Sequence, residues 1–332
     1  MFTHDVTFLE LAQEPLLGDL LPYFLSKRKQ GLITSDPHAK LKDEILAAFD
    51  VDVILDGFHY VMEQRKRGVE VFRRFYSEEE RLADATKDET CLFYLPSKNP
   101  IPGHPFMLIC PGGGYGVVEA MVEGFPVAKA LNEMGINVFS LKYRVGHEGT
   151  IPMADADLHA AIRHILDHAD EYGVSREYAL MGFSAGGHLV CSFGTHNRGY
   201  LKADLPKPQM ICSCYSAVEL PLGEDAERTR IWANFIGNPD ATLEALTAFS
   251  PIRNMDATFP PTYVWQTLED VVVSPNNAKM LRDRLSELGI PHKCNLIPHG
   301  PHGLGLGTGT EAEGWLSDAV TFWRSLNQEE NK

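Results

Sequence analysis

The sequence predicts an α/β fold: a mostly parallel sheet flanked by helices on both faces, with a helical extension at its amino end. Three observations predict it. From Thr90 onward, short apolar runs alternate with longer helical stretches, the signature of a sheet whose strands are joined by crossover helices. Each stretch of chemical character falls just after one of those apolar runs, and an open parallel sheet gathers its ligand-binding loops at the carboxyl ends of its strands. At residues 178–193 a strand, a tight turn and a helix follow one another.

Residues 1–88 differ in character from the remainder of the chain. Leu9, Leu11, Leu16, Leu17, Leu20, Leu21, Phe24 and Leu25 lie at mixed helical spacing, broken by Pro15, Gly18 and Pro22. A second helix is expected from about Lys40 to Phe49, and a third from about Val53 to Tyr76 with Ile54, Phe58, Val61 and Met62 as its apolar positions. The acidic run Ser77-Glu-Glu-Glu-Arg reads as an exposed turn. This all-helical part would cover the sheet domain, roof its site or pair subunits into a homodimer; the sequence leaves that choice open.

In residues 89–332 the expected strands are Thr90–Leu95, Phe106–Cys110, Val138–Tyr143, Tyr178–Met181, Met210–Ser213, Thr262–Gln266 and Lys293–Pro298. Helices are expected between them, at about Glu123–Met134, Ala154–Tyr172, Gly187–Phe193 and Pro275–Leu288. Residues 217–250 read as a cap insertion. Trp232, Phe235 and Ile236 are its apolar residues, and Glu224, Asp225 and Glu227 its acids.

A chain of 332 residues can bury a large core, and 44% hydrophobic with 23% charged residues is ordinary for a globular protein. A formal net charge of -15 argues against nucleic acid or an anionic membrane as partner, since both would repel it. The six cysteines include no C-x-x-C pair and mostly lie in apolar runs, which suits reduced core thiols and a cytoplasmic location. No signal-like start and no span-length apolar stretch is visible.

Four stretches carry chemistry. In Gly182-Phe-Ser184-Ala-Gly186 a serine sits between small residues at a strand-to-helix turn, the context of a nucleophile elbow. A plain Gly/Ser loop is the competing reading. Pro111-Gly112-Gly113-Gly114-Tyr115 comes after an apolar run, and its glycines would let backbone N–H groups converge on a developing oxyanion. A dinucleotide fingerprint fails because Val117 stands where a glycine is needed, and no Gly-Lys-Ser/Thr supports a phosphate loop. Glu269 and Asp270 come after a predicted strand, Glu269 suiting a solvated turn better. His299 and His302 come after the last strand. The order Ser, Asp, His on one alternating pattern turns four weak signals into one. His164 and His168 are a helical turn apart, but Ile165 stands where a zinc protease has glutamate, so a solvated helix face is expected and no metal. Asp155 and Asp157 read as acids of a helix's first turn.

With these motifs in hand, residues 90–325 resemble the α/β-hydrolases of the esterase/lipase group, and most of all the small acetyl-esterase and acetylxylan-esterase-like enzymes. The likeness rests on Pro-Gly-Gly-Gly-Tyr (111–115), Glu123-Gly-Phe-Pro-Val-Ala, Tyr143-Arg144, Gly-Phe-Ser-Ala-Gly-Gly (182–187), Asp270-x-x-Val273 and Pro301-His302-Gly303. Pro111 departs from the histidine of the lipase-like pattern, while the glycine trio is intact. The resemblance implies Ser184 as nucleophile, His302 as general base and Asp270 as the carboxylate that orients it. It places the oxyanion on the N–H groups of Gly113, Gly114 and Ala185. His302 is preferred over His299 because Gly303 completes the family's His-Gly pair. Tyr115 would line an acyl pocket or pack on the core, and Trp232 would shape the substrate pocket or pack over the sheet. The implied activity is cofactor-free hydrolysis of a small acyl ester, acetyl above all, of a hydroxylated small molecule such as a sugar. An amide or peptide hydrolase with the same triad and a non-catalytic binding protein are the alternatives.

Overall fold

The computed structural model describes residues 1–46, 49–101, 103–220 and 226–329. Its amino-terminal part contains α1 (Phe8–Gln13), α2 (Leu21–Phe24), α3 (Lys27–Ser35), α4 (Val51–Lys66), strand β1 (Phe72–Arg73) and α5 (Glu78–Ala83). The rest runs β2 (Cys91–Leu95), β3 (Phe106–Cys110), α6 (Phe125–Glu133), β4 (Val138–Lys142), α7 (Thr150–Asp167), α8 (Ala169–Tyr172), β5 (Tyr178–Phe183) and α9 (Ser184–Gly194). It continues with β6 (Ile211–Cys214), α10 (Ala226–Phe235), α11 (Leu243–Thr247), β7 (Thr262–Thr267), α12 (Asn276–Glu287), β8 (His292–Ile297) and α13 (Trp315–Glu329).

The described residues form an eight-stranded sheet in the order β1-β2-β4-β3-β5-β6-β7-β8. β2 runs antiparallel to both its neighbours, and every pair from β4 to β8 is parallel. Strands β3, β4, β5, β6 and β7 are buried at every position, because helices cover them on both faces. That is why they read as unbroken apolar runs. All seven expected strands are present, with ends shifted by a residue or two at most of them.

Register decides where the loops emerge. Cys110 on β3 pairs with Gly182 on β5, so the glycine loop and the serine turn leave the sheet side by side. Phe183 pairs with Cys214, which puts Tyr215 at the same level. Thr267 on β7 pairs with Ile297 on β8, so the loops bearing Asp270 and His302 also start together. The chemistry-bearing stretches share one edge.

The amino-terminal part departs from the expected pattern in three places. The helix expected to reach Tyr76 ends at Lys66, and after a turn at Gly68 the chain forms β1, which pairs Phe72 with Phe93. Of the helix expected from Lys40 to Phe49 only a 3-10 turn at Leu41–Asp43 forms, and residues 47 and 48 lie outside the described ones. The acidic run is helix α5: the Ser77 hydroxyl caps the Glu80 N–H while the Glu80 carboxylate returns to the Ser77 N–H. Three glutamates in a first turn favour the positive end of the helix, so charge marks a cap here and not a turn.

Apolar anchors of this part, among them Phe8, Leu11, Phe24 and Phe58, belong to the same buried cluster as the sheet strands. Phe24 packs edge-on against Phe125 of α6 at 5.4 Å and tilts on Phe58 at 5.4 Å. A carboxyl-terminal helix, α13, which the sequence pattern did not lead us to expect, closes the other flank with Trp315 and Trp323 buried. No helix among the described residues is long and apolar enough to cross a membrane.

Candidate active site

Ser184 sits at the turn from β5 into α9 with φ 51°, a left-handed conformation that a side-chain-bearing residue adopts only under strain. Its neighbours show why they are glycines. A Cβ on Gly182 would fall 2.3 Å from the Gly186 carbonyl oxygen, and one on Gly186 2.0 Å from that of Cys110. The turn closes only without those atoms. The Ser184 hydroxyl thus stands at the amino end of α9, at the sheet's carboxyl edge.

His302 lies beside it. Its Nε2 is 2.9 Å from Ser184 Oγ and its Nδ1 is 2.7 Å from Asp270 Oδ2. The carboxylate can only accept, so Nδ1 carries the proton and Nε2 is free to take the serine's. Asp270 is buried and amply held: Oδ1 accepts the N–H groups of Val272 and Val273, both at 2.9 Å, and Oδ2 the Gln266 amide at 3.1 Å. Burial alone would raise its pKa. The His302 bond and the two backbone donors outweigh that and hold it below the usual carboxylate range. His299 belongs elsewhere: it is exposed and bonds Glu269 at 3.1 Å, which raises its own pKa, while the Gly300 N–H and then His299 lower that of Glu269.

The glycine loop leans on the serine. A Cβ on Gly112 would lie 2.9 Å from Ser184 Cβ, and Gly113 holds φ 120°, open only to glycine. Among the described residues the N–H groups of Gly113, Gly114 and Ala185 meet no protein acceptor, so three donors stand unpaired, two in the glycine loop and one next to Ser184 in the chain. Unpaired donors at fixed positions are what a developing oxyanion requires.

Two residues to which the sequence pattern gave no role tie the loops together. Glu123 is buried, and its carboxylate accepts the Gly112 N–H at 2.6 Å and the Tyr215 hydroxyl at 2.7 Å. Burial pushes its pKa up to about 7 although both bonds, and the nearby His302, favour the charged form. Tyr215, at φ 41°, also accepts the Gly305 N–H at 3.2 Å and sets its ring edge-on to His302 at 4.9 Å. One carboxylate and one phenol therefore join the glycine loop to the histidine loop. A glutamate inside the apolar run Ala120–Ala128 was the available signal.

Of the two readings of Tyr115, the structure holds the packed one. With φ 58° its side chain is wholly buried and its hydroxyl meets His188 Nδ1 at 2.6 Å, so it lines no open pocket. Burial lowers the His188 pKa to about 3. The neutral ring donates from Nε2 to the Phe249 carbonyl at 2.8 Å and accepts at Nδ1, stitching α9 to the cap region. Trp232 of α10 is half-buried, 6.1 Å from the His188 ring. Glu224 and Asp225 of the expected cap lie outside the described residues.

Asp157 is not a first-turn acid, because α7 begins at Thr150. It is buried, and takes the Arg144 backbone N–H, the Arg144 guanidinium and the Tyr76 hydroxyl at 2.7 Å each. Asp155 pairs with Arg198. His164 and His168 stack on one another at 4.3 Å, and among the described residues no three metal-binding side chains converge.

A mostly parallel sheet with a serine on the β5–α9 turn and an acid and a histidine after its last two strands defines the α/β-hydrolase fold. The chain belongs to the BD-FAE family, whose pattern matches residues 92–285. It is 31% identical over 234 residues to endo-1,4-beta-xylanase B of Butyrivibrio fibrisolvens, covering 66% of this chain and 35% of that protein. It is 28% identical over 208 residues to an acetylxylan esterase of Xylanibacter ruminicola, covering 60% of this chain and 40% of that one. The chain thus spans well under half the length of these relatives. Among solved structures it resembles the acetyl ester-xyloside bifunctional hydrolase from Caldicellulosiruptor lactoaceticus, at TM-score 0.65 and 24% identity over 77% of this chain and 96% of that one. A thermophilic esterase from Thermogutta terrifontis superposes at TM-score 0.62 with 18% identity, over 77% and 93%. These two likenesses concern the fold.

Proposed function

We propose that this protein is a serine carboxylesterase that removes short acyl groups, acetyl first among them, from hydroxylated carbohydrate. The observation that carries the reading is the unbroken relay Ser184–His302–Asp270, at 2.9 and 2.7 Å, beside three unpaired backbone donors. Ser184 Oγ attacks the ester carbonyl as its proton passes to His302 Nε2, and Asp270 stabilises the resulting imidazolium. The carbonyl oxygen, now anionic, is held by the N–H groups of Gly113, Gly114 and Ala185. Collapse breaks the ester C–O bond, and His302 returns the proton to the departing alcohol. Water, activated by the same imidazole, then frees the acid from the acyl-serine. The acetyl and carbohydrate parts draw on the named activities of the relatives above.

Turnover of p-nitrophenyl acetate, of longer-chain esters and of aminoacyl-anilides tests the reading, with Ser184→Ala as control. Rates that fall as the acyl chain lengthens, and no anilide cleavage, support it. Preferential anilide cleavage makes the protein an amidase, and rates equal to the control remove the catalytic reading altogether.

A further inference from the structure

The amino-terminal part does not lie flush on the sheet domain. Between its segment 22–30 and the loops after β3 and β4 is a cavity of about 470 Å³, within the size range of a small-molecule site. Leu25, Val117, Val118 and Val145 give it apolar walls. Four charged side chains also line it, and three of them are matched. Asp88 pairs with Arg81 at 2.8 Å, while Glu89 meets His147 at 3.0 Å and Lys27 at 3.8 Å.

Lys142 is the fourth. It is the last residue of β4, 8% exposed, and among the described residues its ammonium donates only to the Tyr143 carbonyl, at 2.9 Å, with no carboxylate in ion-pair reach. Burial pulls its pKa below the ordinary lysine value. An ammonium has three donors, and a buried one with no carboxylate in contact is costly, Glu89 and Asp157 acting on it only from a distance.

We propose that this cavity binds a small monocarboxylate with a compact apolar body, its carboxylate on Lys142 and its body against Leu25, Val117 and Val145. The unmatched charge is positive, which calls for an anion. It is a single charge with Asp88 and Glu89 nearby, which suits a carboxylate better than a doubly charged phosphate. The occupant would bear on the glycine loop, because the N–H groups of Gly116 and Val117, both in the cavity wall, donate to the Gly113 carbonyl at 3.0 and 3.1 Å. Such carboxylates have two sources, the acid released at Ser184 or an acid made elsewhere.

Calorimetric titration of the full chain with benzoate, acetate and neutral benzamide tests the proposal. The expected result is one carboxylate site, kept in Ser184→Ala, weakened about tenfold or more in Lys142→Met and abolished in Val145→Phe, with no heat from benzamide. Tighter binding of acetate would mark the released acid as the source, and tighter binding of benzoate a larger acid. Removing an unpaired buried charge should leave the fold intact, and Val145→Phe reports independently if it does not. Binding unchanged in both cavity variants, loss in Ser184→Ala, equal heat from benzamide, or no heat up to about 20 mM carboxylate would each overturn the site. Binding heat needs no turnover, so failure of the esterase reading would leave this result standing.

Discussion

The sheet domain and the amino-terminal part are held in place by different means. In the first, continuous apolar strands fix a register, and the register fixes the loops: Cys110 against Gly182 and Thr267 against Ile297 bring four separate stretches to one edge. In the second, short helices depend on side-chain caps such as Thr7 with Glu10, and on surface ion pairs such as Arg65 with Asp19, around a few apolar anchors. Surface pairs of that kind contribute little, so the anchors must supply most of its hold on the rest. Yet this part reaches two loops of the candidate site. Phe49 and Val53 face Gly303 and Leu304 across a small gap, and residues 22–30 face Gly116 to Val118. The sheet sets the geometry, and the amino-terminal part packs against what the sheet has set.

The sharpest way to break this contrast is at the sheet edge itself. His302→Ala should lower kcat by about 10⁴-fold or more, while His299→Ala, at an exposed pair with Glu269, should leave most activity. Near-full turnover in the first variant would remove the relay. Next comes the boundary between the two regions. Phe58 is wholly buried, and Phe58→Ala should cost about 3–5 kcal/mol. If the core is shared, circular dichroism and activity will be lost together in one earlier urea transition. A separate early transition that spares activity would show two independent units.

A smaller effect is expected from the link between loops. Glu123→Gln should lower kcat about 10- to 100-fold with little change in KM, because Gly112 and Tyr215 donate to different carboxyl oxygens and an amide keeps only one. The same variant carries a pH signature. Folding raises the Glu123 pKa from 4.5 to about 7, so the folded chain holds that proton more tightly. Wild type therefore loses stability as pH rises through this window, and the variant gains on it by up to about 1.4 kcal/mol per pH unit. Urea midpoints at pH 5 and pH 7 check it; parallel curves for the two proteins would contradict it.

Legibility in the sequence divides along the same line. Strands β3 to β7 were readable because each is buried on both faces, and Ser184 because only glycines fit beside its turn. Chain order after strands pointed to Asp270 and to one of His299 and His302, and the choice of His302 came from the resemblance, through the His-Gly pair that Gly303 completes. Strand β1 was not, since Phe72–Arg73 is too short to show a pattern and exists only by pairing with β2. Helix α5 was misread because its acids were weighed as surface charge and its cap was not. Glu123 and Tyr215 meet across 92 residues of sequence, and Asp157 finds Tyr76 across 81, distances at which no local spacing carries a signal. Tyr115 turned inward because a buried neutral imidazole, His188, offered its hydroxyl an acceptor.

One measurement reaches the central claim directly: intact and peptide mass spectrometry after treatment with an organophosphonate ester. One adduct per chain, on Ser184, forming far more slowly in His302→Ala and Asp270→Asn, is the predicted result. An adduct on another residue, or labelling of Ser184 at an unchanged rate in both variants, would contradict it.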